Sequence, residues 1–146
     1  SHGLLAKDRA KAAPSIGCFE EGLAALQCLV GVAGMSDVNV WLGSRGVAAT
    51  THYDAASNIF VVTSGVKAFT LFPAAAHRSL RLHPRWHGSS RQAHPEGLSA
   101  AHETAMRVAP VYTATLRRGD VLYMPAGIFH FVQSKSDNLG FNMWIR

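Results

Sequence analysis

From Val38 to the end of the chain, short apolar runs rich in Val, Phe, Tyr, Trp and Thr alternate with Gly, Pro, Asp and Ser. Such runs favour strands, because β-branched and aromatic side chains pack well on a pleated, half-buried surface. They predict strands over 38–42, 48–53, 59–64, 66–72, 110–116, 121–124, 128–133 and 140–145. This number of strands is enough to close a barrel or a two-sheet sandwich. Gly65 predicts a tight hairpin turn between two of them, and Arg118-Gly119-Asp120 predicts a second turn. Further upstream the period changes. Phe19, Leu23, Leu26 and Val30 recur at helical spacing behind Glu20 and Glu21, whose charges suit a helix start, so 19–30 is expected to be a helix. Segments 74–80 and 98–108 predict short helices inserted between strands, and 77–95 reads as a long loop. The expected organisation is an N-terminal helical segment, 1–36, followed by a mainly β domain, 37–146.

Composition fits one packed core. The chain has 146 residues, 48% of them hydrophobic and 16% charged, which excludes a disordered or low-complexity chain. The longest apolar run, 23–35, is interrupted by Gln27, Gly31 and Gly34 and is too short to cross a bilayer, so no membrane association is expected. The first residues lack a basic segment followed by an apolar run, and Cys18 and Cys28 are the two cysteines. A disulfide scaffold or cysteine zinc site is therefore not expected, and the expected location is intracellular, cytoplasmic or nuclear. A net charge of +5 suits nucleic acid or an acidic partner without choosing between them.

Candidate chemistry starts at His52-Tyr53-Asp54. On a strand alternate side chains share a face, so His52 and Asp54 point one way and Tyr53 the other. A second pair of the same spacing, His94-Pro95-Glu96, lies in the basic segment with proline at its centre and has no rigid strand to hold two ligands. What distinguishes the first pair is His130, in a strand-turn-strand segment downstream. Two histidines and a carboxylate can occupy one face of an octahedral ion and leave three positions for a chelating cosubstrate and dioxygen, the arrangement of non-heme Fe(II) oxygenases. The alternative for His130 is a core histidine bonded to a backbone carbonyl. Lys67 sits in alternation with Phe69 and Leu71, which points it into the core, where a lysine needs an anionic partner. The distal carboxylate of 2-oxoglutarate would be such a partner; a one-residue slip of the strand would instead put Lys67 in solvent.

A longer series of residues carries a resemblance. Trp41-Leu42-Gly43, Gly46, His52-Tyr53-Asp54, Asn58, Gly65-x-Lys67, Leu71-Phe72-Pro73, Gly119-Asp120-Val121-Leu122-Tyr123-x-Pro125-Ala126-Gly127, His130 and Asn142-x-Trp144 resemble, in order and spacing, the small JmjC hydroxylases. These are cupin-like 2-oxoglutarate oxygenases of the type of the asparaginyl hydroxylase acting on hypoxia-inducible factor. The resemblance implies a double-stranded β-helix (jelly-roll) domain. It also implies His52, Asp54 and His130 as Fe(II) ligands, and Lys67 on the distal carboxylate of 2-oxoglutarate. Asn58 and Asn142 would lie near the keto acid end, where neutral amides can donate to a chelating carboxylate. Where the family commonly carries a threonine three residues before the first ligand, this chain has Ala49, and the neighbouring Thr50 becomes the expected hydroxyl contact.

The activity so implied is Fe(II)-, 2-oxoglutarate- and O2-dependent hydroxylation of a protein side chain, with succinate and carbon dioxide as coproducts. N-methyl demethylation is a variant of the same chemistry. The substrate could instead be RNA, a tRNA base, held by the segment 77–95, which carries four arginines, four histidines and no acidic residue. From another class comes an inactive cupin-like metal-binding or scaffold protein. The family's helical C-terminal extension does not follow Arg146, so a dimer built on one is not expected and a monomer is favoured.

Overall fold

A computed structural model describes residues 35–96 and 98–145, within the compact unit Gly34–Arg146. The expected helix over 19–30 lies outside the described residues. The strands are β1 (Met35–Gly43), β2 (Ala48–Tyr53), β3 (Ser57–Ser64), β4 (Val66–Phe72), β5 (Tyr112–Arg117), β6 (Val121–Met124), β7 (Phe129–Ser134) and β8 (Asn138–Ile145). Between β4 and β5 come a 3-10 helix, Ala74–Arg78, and an α-helix, α1, Leu98–Val108. All eight expected strands and both inserted helices are therefore present, four of these elements with the expected ends and the others with ends moved by at most three residues.

The strands form two antiparallel sheets of four, in the orders β1-β8-β3-β6 and β2-β7-β4-β5. This is the expected jelly-roll. One local expectation fails. Gly65 does not close a hairpin, because β3 and β4 belong to different sheets. It is the corner where the chain passes from one sheet to the other. Its φ of +76° and the carbonyl oxygen of Asp137, into which a Cβ would run, leave room for glycine alone. Alternation along each strand survives such a corner, so Lys67 still faces inward.

Strand alternation also divides the packing into two layers. Phe60, Val62, Phe69, Leu116 and Met124 fill the space between the sheets. On the outer side of the second sheet, Phe72 and Phe129 pack against Ala76, Leu80 and Ala105. Ala101 and Ala105 are the buried residues of α1, and their small side chains let the helix approach the sheet closely. Phe129 is 3% exposed, and burying a side chain of this size contributes roughly 1.5–3 kcal/mol. Because Phe129 and Phe131 pack outward, His130 between them is turned into the barrel.

Candidate metal centre

His52 on β2 and His130 on β7 are directly opposed in the sheet register, with ring centroids 4.2 Å apart. Asp54 follows β2. Ligand-capable atoms of His52, Asp54 and His130 lie within 4.8 Å of one another, and no other such group of His, Cys, Asp or Glu occurs among the described residues. His52 Nδ1 is 2.7 Å from the carbonyl oxygen of Thr50, and His130 Nδ1 is 3.1 Å from that of Ile128. A carbonyl can only accept, so Nδ1 is the donor in each contact, and in the neutral form of either ring the lone pair is on Nε2. The carbonyl partner weighed as the alternative for His130 therefore exists, but it orients the ring toward the other two residues. His130 Nε2 is 3.9 Å from Asp54 Oδ2, too far for a hydrogen bond. Burial holds the His130 pKa below its ordinary value, and the neighbouring His52 lowers it further, against the opposing pull of the Ile128 carbonyl and Asp54. A neutral imidazole is the form that binds a metal.

Asp54 is positioned by two donors. Asn58 Nδ2 donates to Asp54 Oδ2 at 2.9 Å, and Trp144 Nε1 donates to the same oxygen at 3.2 Å. Oδ1 has no donor among the described residues and remains available. The network extends inward: Asn142 Nδ2 donates to Asn58 Oδ1 at 3.1 Å, and Trp41 Nε1 donates to Asn142 Oδ1 at 2.6 Å. Asn58 and Asn142 thus act on the carboxylate in series. The two indoles are visible in the sequence as part of a motif, but their partners become evident only once β1, β8 and β3 lie side by side.

Behind the three residues lies a cavity of about 230 Å3 between the sheets. Lys67 lines its inner part, 7% exposed, its Nζ 5.0 Å from the Phe60 ring centroid and 5.9 Å from that of Trp41. Those rings provide cation–π contacts, yet among the described residues no carboxylate pairs with Lys67. Burial pushes its pKa below the ordinary lysine value. Asn39, another lining residue, holds a buried Nδ2 with no hydrogen-bond acceptor. A buried cation from one sheet and an orphaned donor from the other, lining the same cavity, fit an anionic guest. Asn39 escapes notice in the sequence, although its alternation with Trp41 places both on one face of β1.

Thr50 is not where the sequence places it. Between Ala49 and His52, β2 advances three residues while β7 advances two, so β2 carries a bulge. The extra residue brings Ala49 to the cavity wall beside His52 and takes Thr50 off it. Thr51, fully buried, bonds instead to His102 of α1, with Oγ1 2.6 Å from Nε2. The hydroxyl expected on the cosubstrate is absent from the cavity lining, and strict alternation cannot foresee it.

The basic segment is more ordered than a loop. Gln92 and Ala93 run along the free edge of β2, with Ala93 N donating to the Thr51 carbonyl and Tyr53 N to that of Arg91. No described helix is long and apolar enough to cross a membrane.

Similarity to known proteins agrees with this geometry. Residues 7–146 match the model of the cupin-like domain family. Among curated proteins, the chain is 34% identical over 116 residues to Jumonji C domain-containing protein 5 of Drosophila melanogaster, covering 76% of this chain and 28% of that protein. It is 31% identical over 115 residues to lysine-specific demethylase JMJ31 of Arabidopsis thaliana, covering 75% and 21%. Against the human bifunctional peptidase and (3S)-lysyl hydroxylase JMJD7 it is 28% identical over 129 residues, covering 73% and 40%. The chain thus spans 21% to 40% of the length of these relatives. Among solved structures, Escherichia coli YcfD shares the fold, at a TM-score of 0.58, 17% identity, and coverage of 90% of this chain and 32% of that one. A second YcfD structure, described as a ribosomal oxygenase in complex with cobalt and succinic acid, gives 0.55 at 16% identity, covering 86% and 28%. With nearly its whole length matched, the chain belongs to the cupin-like JmjC domain family.

Proposed function

We propose that this domain is an Fe(II)- and 2-oxoglutarate-dependent oxygenase that hydroxylates a side chain of a polypeptide. The observation that carries the reading is the shared cavity, with two imidazoles and a carboxylate gathered at one end and, at the other, a buried lysine that has no carboxylate partner among the described residues. Two nitrogens and one oxygen on one side are the donor set of a first-row ion with open positions. His52, Asp54 and His130 would hold Fe(II), which when bound with 2-oxoglutarate supplies the activation of dioxygen that the protein's own side chains cannot perform.

The chain's residues do the rest. Lys67 is opposite Ser134 on β7, four residues along that strand from His130, or roughly 13 Å at the rise of a β-strand. An extended lysine and a five-carbon diacid together bridge that gap, so Lys67 would hold the distal carboxylate and Asn39 Nδ2 would donate to the same guest. Asn58 and Trp144 fix the Asp54 carboxylate through Oδ2 and so set its orientation beside the two imidazoles that would hold the ion with it. Phe60, Phe69 and Met124 exclude water from the inner end.

The cobalt and succinic acid bound to YcfD support the ligand class, since succinate is the coproduct expected of 2-oxoglutarate. The hydroxylase named among the relatives supports a polypeptide substrate. Relatives named as lysine demethylases give a second reading, in which the oxidised carbon is an N-methyl group. Anaerobic addition of Fe(II) and 2-oxoglutarate should produce a metal-to-ligand absorption band, and admission of oxygen should then release succinate. A protein that binds neither Fe(II) nor 2-oxoglutarate would defeat the reading. With a substrate in hand, release of formaldehyde separates demethylation from hydroxylation.

A further inference from the structure

The triad has an outer approach as well as the inner cavity. On that side His52, Tyr53 and Asp54 border a hollow of about 250 Å3, whose other walls include Ser89, Arg91 and Trp144. Tyr53 also lines a larger hollow of about 670 Å3, together with Arg78, Arg81, Arg85 and Ser90. The hollows share Tyr53 and meet along Ser89-Ser90, so a groove leads from the triad across the basic segment.

The charge in this groove is unbalanced. Arg78, Arg81, Arg85 and Arg91 are all exposed, and among the described residues none has an ion-pair partner. Segment 77–95 itself contains no Asp or Glu. Like charges gathered along one groove repel, and an anionic ligand removes that repulsion. Arg81 adds a backbone observation. Its φ of 49° makes it the one non-glycine residue with positive φ among the described residues. It is the last residue of the turn that follows the 3-10 helix, where glycine would adopt this conformation without strain. Its carbonyl accepts from His94 N at 3.0 Å, which locks the conformation. An arginine held there at a conformational cost points to a use for its side chain.

We propose that this groove receives an acidic stretch of the polypeptide substrate. Arg91 meets the carboxylate nearest the reacting residue, and Arg78, Arg81 and Arg85 meet those further along the chain. The proposal rests on the hydroxylase reading above. Guanidinium groups match carboxylates in paired hydrogen bonds. A single-stranded nucleic acid would also satisfy the charge, but its recognition depends on aromatic faces for the bases. The groove offers few. Trp86, 90% exposed, lines neither hollow. The Tyr53 ring packs edge-on with Phe129 at 5.2 Å, and the His83 ring is stacked on His87 at 4.4 Å.

Fluorescence anisotropy with a labelled oligoglutamate and with an oligouridylate of equal charge tests the proposal on the full chain. Wild type should bind oligoglutamate more tightly, with an affinity that falls as salt rises. The double variant Arg81→Asn with Arg85→Ser should lose about tenfold or more, since charge-assisted bonds are removed while Asn tolerates the left-handed backbone. Arg91→Ser, a change in an exposed side chain that leaves the left-handed residue Arg81 in place, should lose severalfold and remains informative if the double variant misfolds. Equal oligoglutamate affinity in wild type and Arg91→Ser would overturn the proposal. So would tighter binding of oligouridylate with the same arginine dependence, which would make the ligand a nucleic acid. The Fe(II) and 2-oxoglutarate band is recorded on the same wild-type samples. Its absence, with arginine-dependent oligoglutamate binding retained, would remove the hydroxylase reading and leave the groove as a binding site for acidic polypeptide.

Discussion

His52-Tyr53-Asp54 and His94-Pro95-Glu96 present the same ligand types at the same spacing, and the fold treats them differently. The first pair straddles the end of β2, where sheet register brings His130 alongside and an Asn-Trp network orients the carboxylate. The second pair lies beyond the short bridge Leu82–Ala93. There the His94 ring is 4.7 Å from His83, its buried Nδ1 has no partner, and Glu96 is exposed. Spacing supplies two ligand types in either place. A centre also needs a rigid strand, a third ligand from the neighbouring strand and partners that fix each group's orientation.

The largest expected effect is the loss of metal on breaking the first pair. His52→Ala, Asp54→Ala and His130→Ala should each abolish Fe(II) binding at stoichiometric loading, because two remaining ligands seldom hold a labile ion. His94→Ala and Glu96→Ala should leave metal content unchanged. Metal analysis of the purified variants decides between the pairs, and metal content that followed His94 would reverse the comparison.

Next in size is Lys67→Met. A charge-assisted hydrogen bond to a desolvated carboxylate is worth about 1.5–3 kcal/mol, so calorimetric titration should show 2-oxoglutarate binding weakened roughly tenfold or more, with iron affinity little changed. The ligand-free variant should be no less stable than wild type, since an apolar side chain replaces a buried cation that has no carboxylate partner among the described residues. Clear destabilisation of the ligand-free protein would mean that Lys67 serves the core more than the cavity.

Asn58→Ala tests whether orientation matters beyond ligand identity. It deletes the 2.9 Å donor to Asp54 and breaks the link to Asn142 and Trp41. Partners of this kind are commonly worth about 10- to 100-fold in metal affinity. Undiminished affinity would show that Trp144 alone suffices to hold the carboxylate.

How much of this is legible in the sequence follows from which interactions are local. Strand positions, the inward face of Lys67 and the pairing of His52 with Asp54 depend on period-two alternation, which is written in neighbouring residues. The corner at Gly65 is visible as a turn but not as a change of sheet, because sheet membership depends on strands distant in sequence. Asn39 and the indoles of Trp41 and Trp144 gain their surroundings through the sheet order β1-β8-β3. The misplacement of Thr50 has the opposite origin. Alternation breaks there at a bulge, and the bond that accompanies it, from Thr51 to His102 on α1, comes from far along the chain.

That bond yields the smallest predicted effect. The His102 ring lies 4.7 Å from Phe72 and 5.4 Å from Phe131, and burial lowers its pKa below the ordinary value near 6.5. In the fold the ring stays neutral where the unfolded chain already takes a proton, so acidification favours unfolding. Its contribution to stability is complete above about pH 6.5 and is lost as pH falls through the window below it. His130 and His83 are shifted the same way, so the acid slope belongs to several groups. His102→Gln removes one of them while keeping a side chain able to bond Thr51. Denaturant unfolding measured between pH 7.5 and 5 (roughly the range over which ordinary histidines titrate) should show a shallower loss of stability. The change should fall well short of the about 1.4 kcal/mol per pH unit that one whole proton carries, because the ring is only partly buried and solvent screens it. An unchanged slope would mean that the outer layer, which holds the bulge from behind, does not share in the acid sensitivity of the centre it supports.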